Sequence, residues 1–172
     1  DNLIFRIVAY NTSLEKLWLI DDVAVSSANV IERRWNGTAW TDGNDNSVAA
    51  PDEATKSYKN YRTVFNGDYT VPATNLSICE CEVSSAANLT VPANSYLSVQ
   101  TKVINKGDGN NVVVASDGNL IQIEDEAVNS GSITAERLVS DINNISTHMD
   151  YLYWSAPVTG QGLKAFSPGT PD

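Results

Sequence analysis

The residues of this 172-residue chain best suited to chemistry are carboxylates and amides. The run Asp42-Gly-Asn-Asp45-Asn46 sets acidic and amide oxygens around a glycine, the ligand type that calcium prefers. It lacks the regular spacing and the bidentate glutamate of an EF-hand, so an ordinary solvated turn is the simpler reading. Asp108 and Asp117 lie in two further polar turns, Asn105 to Asn111 and Asp117-Gly-Asn119. They have the chemistry to hold calcium between successive repeats, although turning the chain is reason enough for both. Calcium is the one ion that these residues suggest, and no organic cofactor is expected.

Acid–base chemistry finds less support. Glu80 and Glu82 stand two apart, as do Glu124 and Glu126, and residues two apart on a strand share a face. A ladder of carboxylates with Arg137 as the nearby base would resemble the calcium-assisted lyases built on β-helices. The competing reading is a solvated outer face on an acidic protein. Asp21 and Asp22 are adjacent, so on a strand they point to opposite faces and do not act on one substrate. His148, the sole histidine, sits among Asn, Ser and Thr with no nucleophile pattern near it. Cys79 and Cys81, read on one strand, share a face opposite the two glutamates but are too far apart for an unstrained disulfide. They are expected to fill the interior as small apolar side chains. Trp35, Trp40 and Trp154 have flat faces suited to stacking on sugar rings, or to closing the open ends of a repeat.

Positioning these groups requires a repeat. Thr-Val-Pro-Ala occurs at Thr70–Ala73 and again at Thr90–Ala93, each beside short apolar alternations. Leu89 and Val91, Leu97 and Val99, Val112 and Val114, Ile121 and Ile123 are apolar pairs two residues apart. Polar turns separate them, and the phrase returns about every twenty residues, the mark of stacked coils too small to hold a core singly. Earlier, Leu3–Ala9 and Leu17–Val23 alternate around a polar turn and predict an antiparallel hairpin that needs a further sheet to join. Trp35-Asn-Gly-Thr-Ala-Trp40 predicts a tight turn with its two flanking rings on one side.

The formal net charge is −10, hostile to a phosphate backbone or an anionic membrane surface. No apolar run approaches the length of a membrane span. Nucleic acid and a transmembrane segment are therefore not expected. The chain starts at Asp1 directly in a strand-like run, which reads as an excerpt of something longer.

Tyr151-Leu-Tyr-Trp-Ser-Ala-Pro-Val158, followed by Gly160-Gln-Gly-Leu163 and Phe166-Ser-Pro168, resembles a phrase recurring in large modular surface proteins of Bacteroidetes. These are exported by the type IX secretion system. In that family the phrase closes a module opened by a Trp-Asn-Gly-x-x-Trp segment, here Trp35–Trp40. A "Leu-Thr-Val … Leu-x-Val" region (Leu89 to Val99) and a Gly-Ser-Ile-Thr step (Gly131 to Thr134) lie between. The resemblance runs from Trp35 to Pro168. The opening hairpin is similar to the end of a jelly-roll module that often precedes it. Two departures are the second cysteine at Cys79/Cys81 and the longer insert between Trp40 and Tyr69. The resemblance implies an extracellular or outer-surface location, and the family's modules occur in adhesins and enzymes alike.

The expected fold is all-β: short β-solenoid coils preceded by the last hairpin of a β-sandwich. The expected division is a hairpin over 1–27, a Trp-bearing linker or cap over 28–68, coils over 69–138, and an aromatic cap with exit linker over 139–172. The expected role is a non-catalytic stiff spacer or assembly unit of a long adhesin or extracellular filament. Its partners would be neighbouring modules of the same or identical chains. The alternative is a carbohydrate-binding module of a secreted polysaccharide-degrading enzyme, with surface glycans as partners.

Overall fold

A computed structural model describes residues 31–138 except 53, 55 and 56, together with 162 and 164. The expected sandwich hairpin over 1–27, the aromatic segment with Trp154, and His148 lie outside the described residues.

The chain winds as a three-faced β-solenoid of three coils. β1 (Ile31–Trp35) and β2 (Trp40–Asp42) form a hairpin, and a 3-10 turn at Ser57–Asn60 leads into β3 (Tyr61–Phe65). Each coil then supplies one strand to each face in turn. β3, β4 (Tyr69–Thr70) and β5 (Leu76–Ile78) make the first, and β6 (Glu80–Val83), β7 (Leu89–Val91) and β8 (Tyr96–Val99) the second. β9 (Val103–Asn105), β10 (Val112–Val114) and β11 (Asn119–Gln122) make the third, and β12 (Thr134–Ala135) begins a fourth pass. The order is β2-β1-β3-β6-β9 in sheet A, β4-β7-β10-β12 in sheet B and β5-β8-β11 in sheet C. All ladders are parallel except the antiparallel β1–β2 pair.

The register explains the repeated phrase. Leu89 and Val91 pair with Val112 and Val114, and Leu97 and Val99 pair with Leu120 and Gln122. The first six of these face inward and are buried, and Val71 and Val91 occupy the same place in the two Thr-Val-Pro-Ala copies. In each copy the proline opens the corner between sheets B and C. Asn75, Asn94 and Asp117 turn the chain there at φ of 68°, 60° and 64°, left-handed values that Asn and Asp tolerate better than most residues. That corner stays short, occupying 71–75, 92–95 and 115–118. The corner from sheet A to sheet B grows instead from 66–68 to 84–88 and then 106–111. Asp108 caps the 3-10 turn Gly109–Asn111 within the longest of these.

Three expectations change. The ladder begins before Tyr69, because β1 and β3, in the stretch read as a linker or cap, pair directly with one another and β3 pairs on with β6. Tyr61, Thr63 and Phe65 are its inward residues, and their mixed polarity hides the alternation. Ile121 does not join the core: it pairs with Ser98 on the outer face and is 43% exposed, while Leu120 points inward. A one-residue shift exchanges the two faces of a strand. Cys79 is not on a strand with Cys81, since β5 ends at Ile78 and the chain turns before Glu80. Cys79 sits half-buried at the corner between sheets C and A, and Cys81 is fully buried in β6.

Candidate functional site

Parallel pairing stacks like positions of successive coils at about 4.8 Å, so outward charges on sheet A meet as neighbours. β3 contributes Arg62, β6 contributes Glu80 and Glu82, and Lys102 and Lys106 flank β9. Arg62 is the hub. Its Nη2 donates to Glu82 Oε2 at 2.5 Å, its Nε lies 3.2 Å from Glu80 Oε1, and its Nη1 lies 3.4 Å from Glu32 Oε2. Lys102 Nζ is 3.3 Å from Glu80, and Lys106 donates to the other oxygen of Glu82. Arg34 pairs with Glu32 and reaches Asp45 at 3.4 Å. The network runs across four strands of one face.

Glu82 was expected on a solvated outer surface. It does point outward, yet Arg62 and Lys106 cover it and its side chain keeps only 7% exposure. Burial opposes its ionisation, but the hydrogen bonds from Lys106 and Arg62 outweigh that and hold the carboxyl below its ordinary range. The bond to Glu82 likewise raises the affinity of the Arg62 guanidinium for its proton. Glu124 and Glu126 do not extend this ladder, because β11 ends at Gln122 on sheet C and both glutamates are exposed in the following turn.

The second cluster is aromatic and closes the first coil. Asn36 Oδ1 accepts hydrogen bonds from the Thr38 and Ala39 amides, Gly37 adopts φ +100°, and the hairpin brings Trp35 opposite Trp40. Their ring centroids lie 5.4 Å apart. Tyr69 meets both edge-on at 5.1 and 5.3 Å, and Phe65 lies 5.9 Å from Trp40. Trp40 is buried and Trp35 half-buried, with the Trp35 indole N–H donating to the Asp68 carbonyl at 2.8 Å. These rings pack on the coil rather than forming an open platform.

The four aspartates weighed for calcium occupy separate turns. Asp42 Oδ1 accepts from the amides of Asn44 and Asn46, and the Asn46 side chain leads the contacts that lower its pKa. Asp45, at φ 61°, faces Arg34. Asp108 accepts from the Asn110 amide, and Asp117 pairs with Arg137 at 2.5 Å. That last pair answers the question of Arg137: its guanidinium is tied to a corner carboxylate, away from Glu80 and Glu82. Among the described residues no three His, Cys, Asp or Glu side chains gather as a metal-binding group.

Burial, assisted by the nearby charges of Glu80 and Glu82, pushes the Cys81 thiol up to about 12. Burial also raises Cys79, so both thiols stay protonated at neutral pH. The role of Glu82 as the covered centre of a network was missed from sequence. No constant spacing marked it, because the residues in register with Glu82 are Val64 and Ile104 and the two cations reach it diagonally from Arg62 and Lys106.

Among the described residues no helix is long and apolar enough to cross a membrane. Residues 34–172 match the family described as "Domain of unknown function (DUF8693)". The match spans most of the chain, and the chain belongs to that family. No curated protein and no solved structure matches it.

Proposed function

We propose that this member of the DUF8693 family is a non-catalytic structural module, a stiff spacer and assembly unit of an extracellular adhesin or filament. The observation that carries this reading is the continuity of the column. Ladders on three faces run through every coil around one apolar interior, and the charges of sheet A neutralise one another across the rungs. Such a column resists bending because each coil is clamped to the next by main-chain hydrogen bonds on all three sides.

The surface chemistry agrees. Arg62 and the glutamates beside it face each other rather than a groove, and the two cysteines are held as protonated thiols. The net charge of −10 disfavours nucleic acid as a partner. The resemblance to type IX-exported surface proteins supports an extracellular setting. Electron microscopy of the native protein tests the reading. Threads with a regular axial repeat are expected, and compact separate particles would remove the filament role.

A further inference from the structure

The C-terminal end of the column is closed unevenly. In sheet A the Ser130 amide donates to the Val103 carbonyl and the Asn105 amide to the Ser130 carbonyl. Asn129 Oδ1 there accepts from the Val103 amide at 2.8 Å. In sheet B, β12 pairs with β10. In sheet C, β11 pairs with β8 alone among the described residues. The Asn119 and Ile123 amides donate back to the Ser95 and Val99 carbonyls, both at 3.0 Å. Successive residues of a strand direct their backbone groups to opposite sides, so Leu120 and Gln122 turn theirs away from β8. Leu120 is half-buried against the core, where a backbone group without a partner is costly.

The chain leaving β12 is aimed at this edge. The Glu136 amide donates to the Val114 carbonyl, Arg137 pairs with Asp117, and the Leu138 amide donates to Ser116 Oγ at 3.1 Å. The fourth pass thus tracks the third through the corner between sheets B and C, up to the start of β11. In the second and third coils the step from sheet B to sheet C is six residues, Val91 to Leu97 and Val114 to Leu120. Ala135 pairs with Val114, so the same step sets Asp141 above Leu120, Ile142 above Ile121 and Asn143 above Gln122.

We propose that residues 139–144 form a stop coil, lying along β11 as a fourth parallel strand of sheet C and ending the ladder there. Ile142 then covers Ile121, whose outward side chain is 43% exposed. The inward positions already turn polar toward this end, since Val83 pairs with Asn105 and Val99 with Gln122. Asp141 completes the change, and an inward carboxylate makes the new edge a poor template for a further strand. Leu138 holds this segment beside the edge, an advantage in effective concentration over any second chain. Beyond a spacer role, such a coil fixes the length of the column in each chain.

Amide exchange of the full chain, read by NMR, tests the stop coil. Leu120 and Gln122 are expected to exchange within about tenfold of Leu97 and Val99, their counterparts one coil earlier. Exchange at the rate of an exposed loop would overturn the added strand. In this register the Ile142 amide donates to β11, so Ile142→Pro should strip that protection and leave Leu97 and Val99 protected. Unchanged protection of Leu120 and Gln122 would overturn the segment named. If Ile142→Pro unfolds the chain, a chain carrying both I121C and I142C replaces it. A disulfide within the chain is expected, because neighbours across a ladder lie within disulfide reach. Disulfides only between chains would mean that a second copy takes the edge, and they would overturn the coil, as would no disulfide. Asp141→Leu should self-associate at least about tenfold more tightly than wild type in sedimentation velocity, and equal association would overturn the stop. None of these results touches the spacer reading, which stands or falls on micrographs of the native protein.

Discussion

Arg62 reaches diagonally across the ladder to Glu82. Arg62 pairs in register with Glu80 and Glu82 with Val64, yet the Arg62 Nη2 to Glu82 Oε2 distance is 2.5 Å. One guanidinium thus serves carboxylates at two levels of β6, while Lys106 takes the remaining oxygen of Glu82 from the next coil. Glu82→Gln, which keeps the shape and removes the charge, should cost about 2 kcal/mol, the scale of hydrogen bonds to charged groups. Urea unfolding measures it, and a loss under about 0.5 kcal/mol, the range of ordinary surface substitutions, would show the network to be ornamental.

The same carboxylate sets an acid limit. Its folded pKa is depressed below the ordinary 4.5, so its stabilisation is fully present above that value and is lost as pH falls through the folded value. The melting temperature should decline below pH 4.5, and Glu82→Gln should flatten that decline. Cys81 sets an alkaline limit of opposite sign. Its thiol is raised from 9.0 to about 12, so its contribution is complete below 9.0 and fades as pH rises toward 12.

Trp40 anchors the aromatic end, buried against Phe65 and Tyr69. Trp40→Ala should cost about 3–5 kcal/mol, as large-to-small changes do in a packed core. Titration with soluble glycans should leave the emission of a variant retaining only Trp35 and Trp40 unchanged. A saturable shift would revive the carbohydrate-binding alternative.

Thr63 is the counterexample within the core. Its hydroxyl is fully buried without a hydrogen-bond partner among the described residues, and Thr63 is stacked in the ladder between Arg33 and Cys81. Thr63→Val retains the branched shape and removes the unsatisfied group, and should stabilise the chain by about 1 kcal/mol. A destabilised variant would mean that the hydroxyl has a partner in solution.

Addition of a calcium chelator should leave the melting temperature unchanged, because Asp42, Asp45, Asp108 and Asp117 each serve a different turn. A fall on chelation, reversed by calcium, would show that these turns rearrange to bind the ion.

The repeat was legible because Leu89, Val91, Leu97, Val99, Val112 and Val114 are apolar at the inward positions, with polar Thr90 and Ser98 between the first two pairs. The Trp35–Trp40 hairpin was legible from Asn36-Gly37. Sequence failed where the two faces carried unexpected residues. Around β11 the isoleucines at 121 and 123 outweigh Leu120, although Leu120 is the inward residue. In β3 the polar Thr63 faces inward and the apolar Val64 outward, so the period of two is masked. The charge network needed register, and coil lengths vary enough that Arg62, Glu80 and Lys102 reveal no constant spacing. Asp117 and Arg137 meet for the same reason, across coils rather than along the chain.

The uneven corners described above bear on how such a protein can change. The passage from sheet A to sheet B lengthens from 66–68 to 106–111 while Val83–Leu89 and Asn105–Val112 still deliver their strands in register. Extra residues leave sideways there, and flexible loops tolerate added length at small entropic cost. The passage through 71–75, 92–95 and 115–118 stays at four or five residues, held by left-handed turns at Asn75, Asn94 and Asp117. One seam of the molecule is therefore open to grafted peptides, each displayed at a set height along a rigid rod, while the other seam is closed to them.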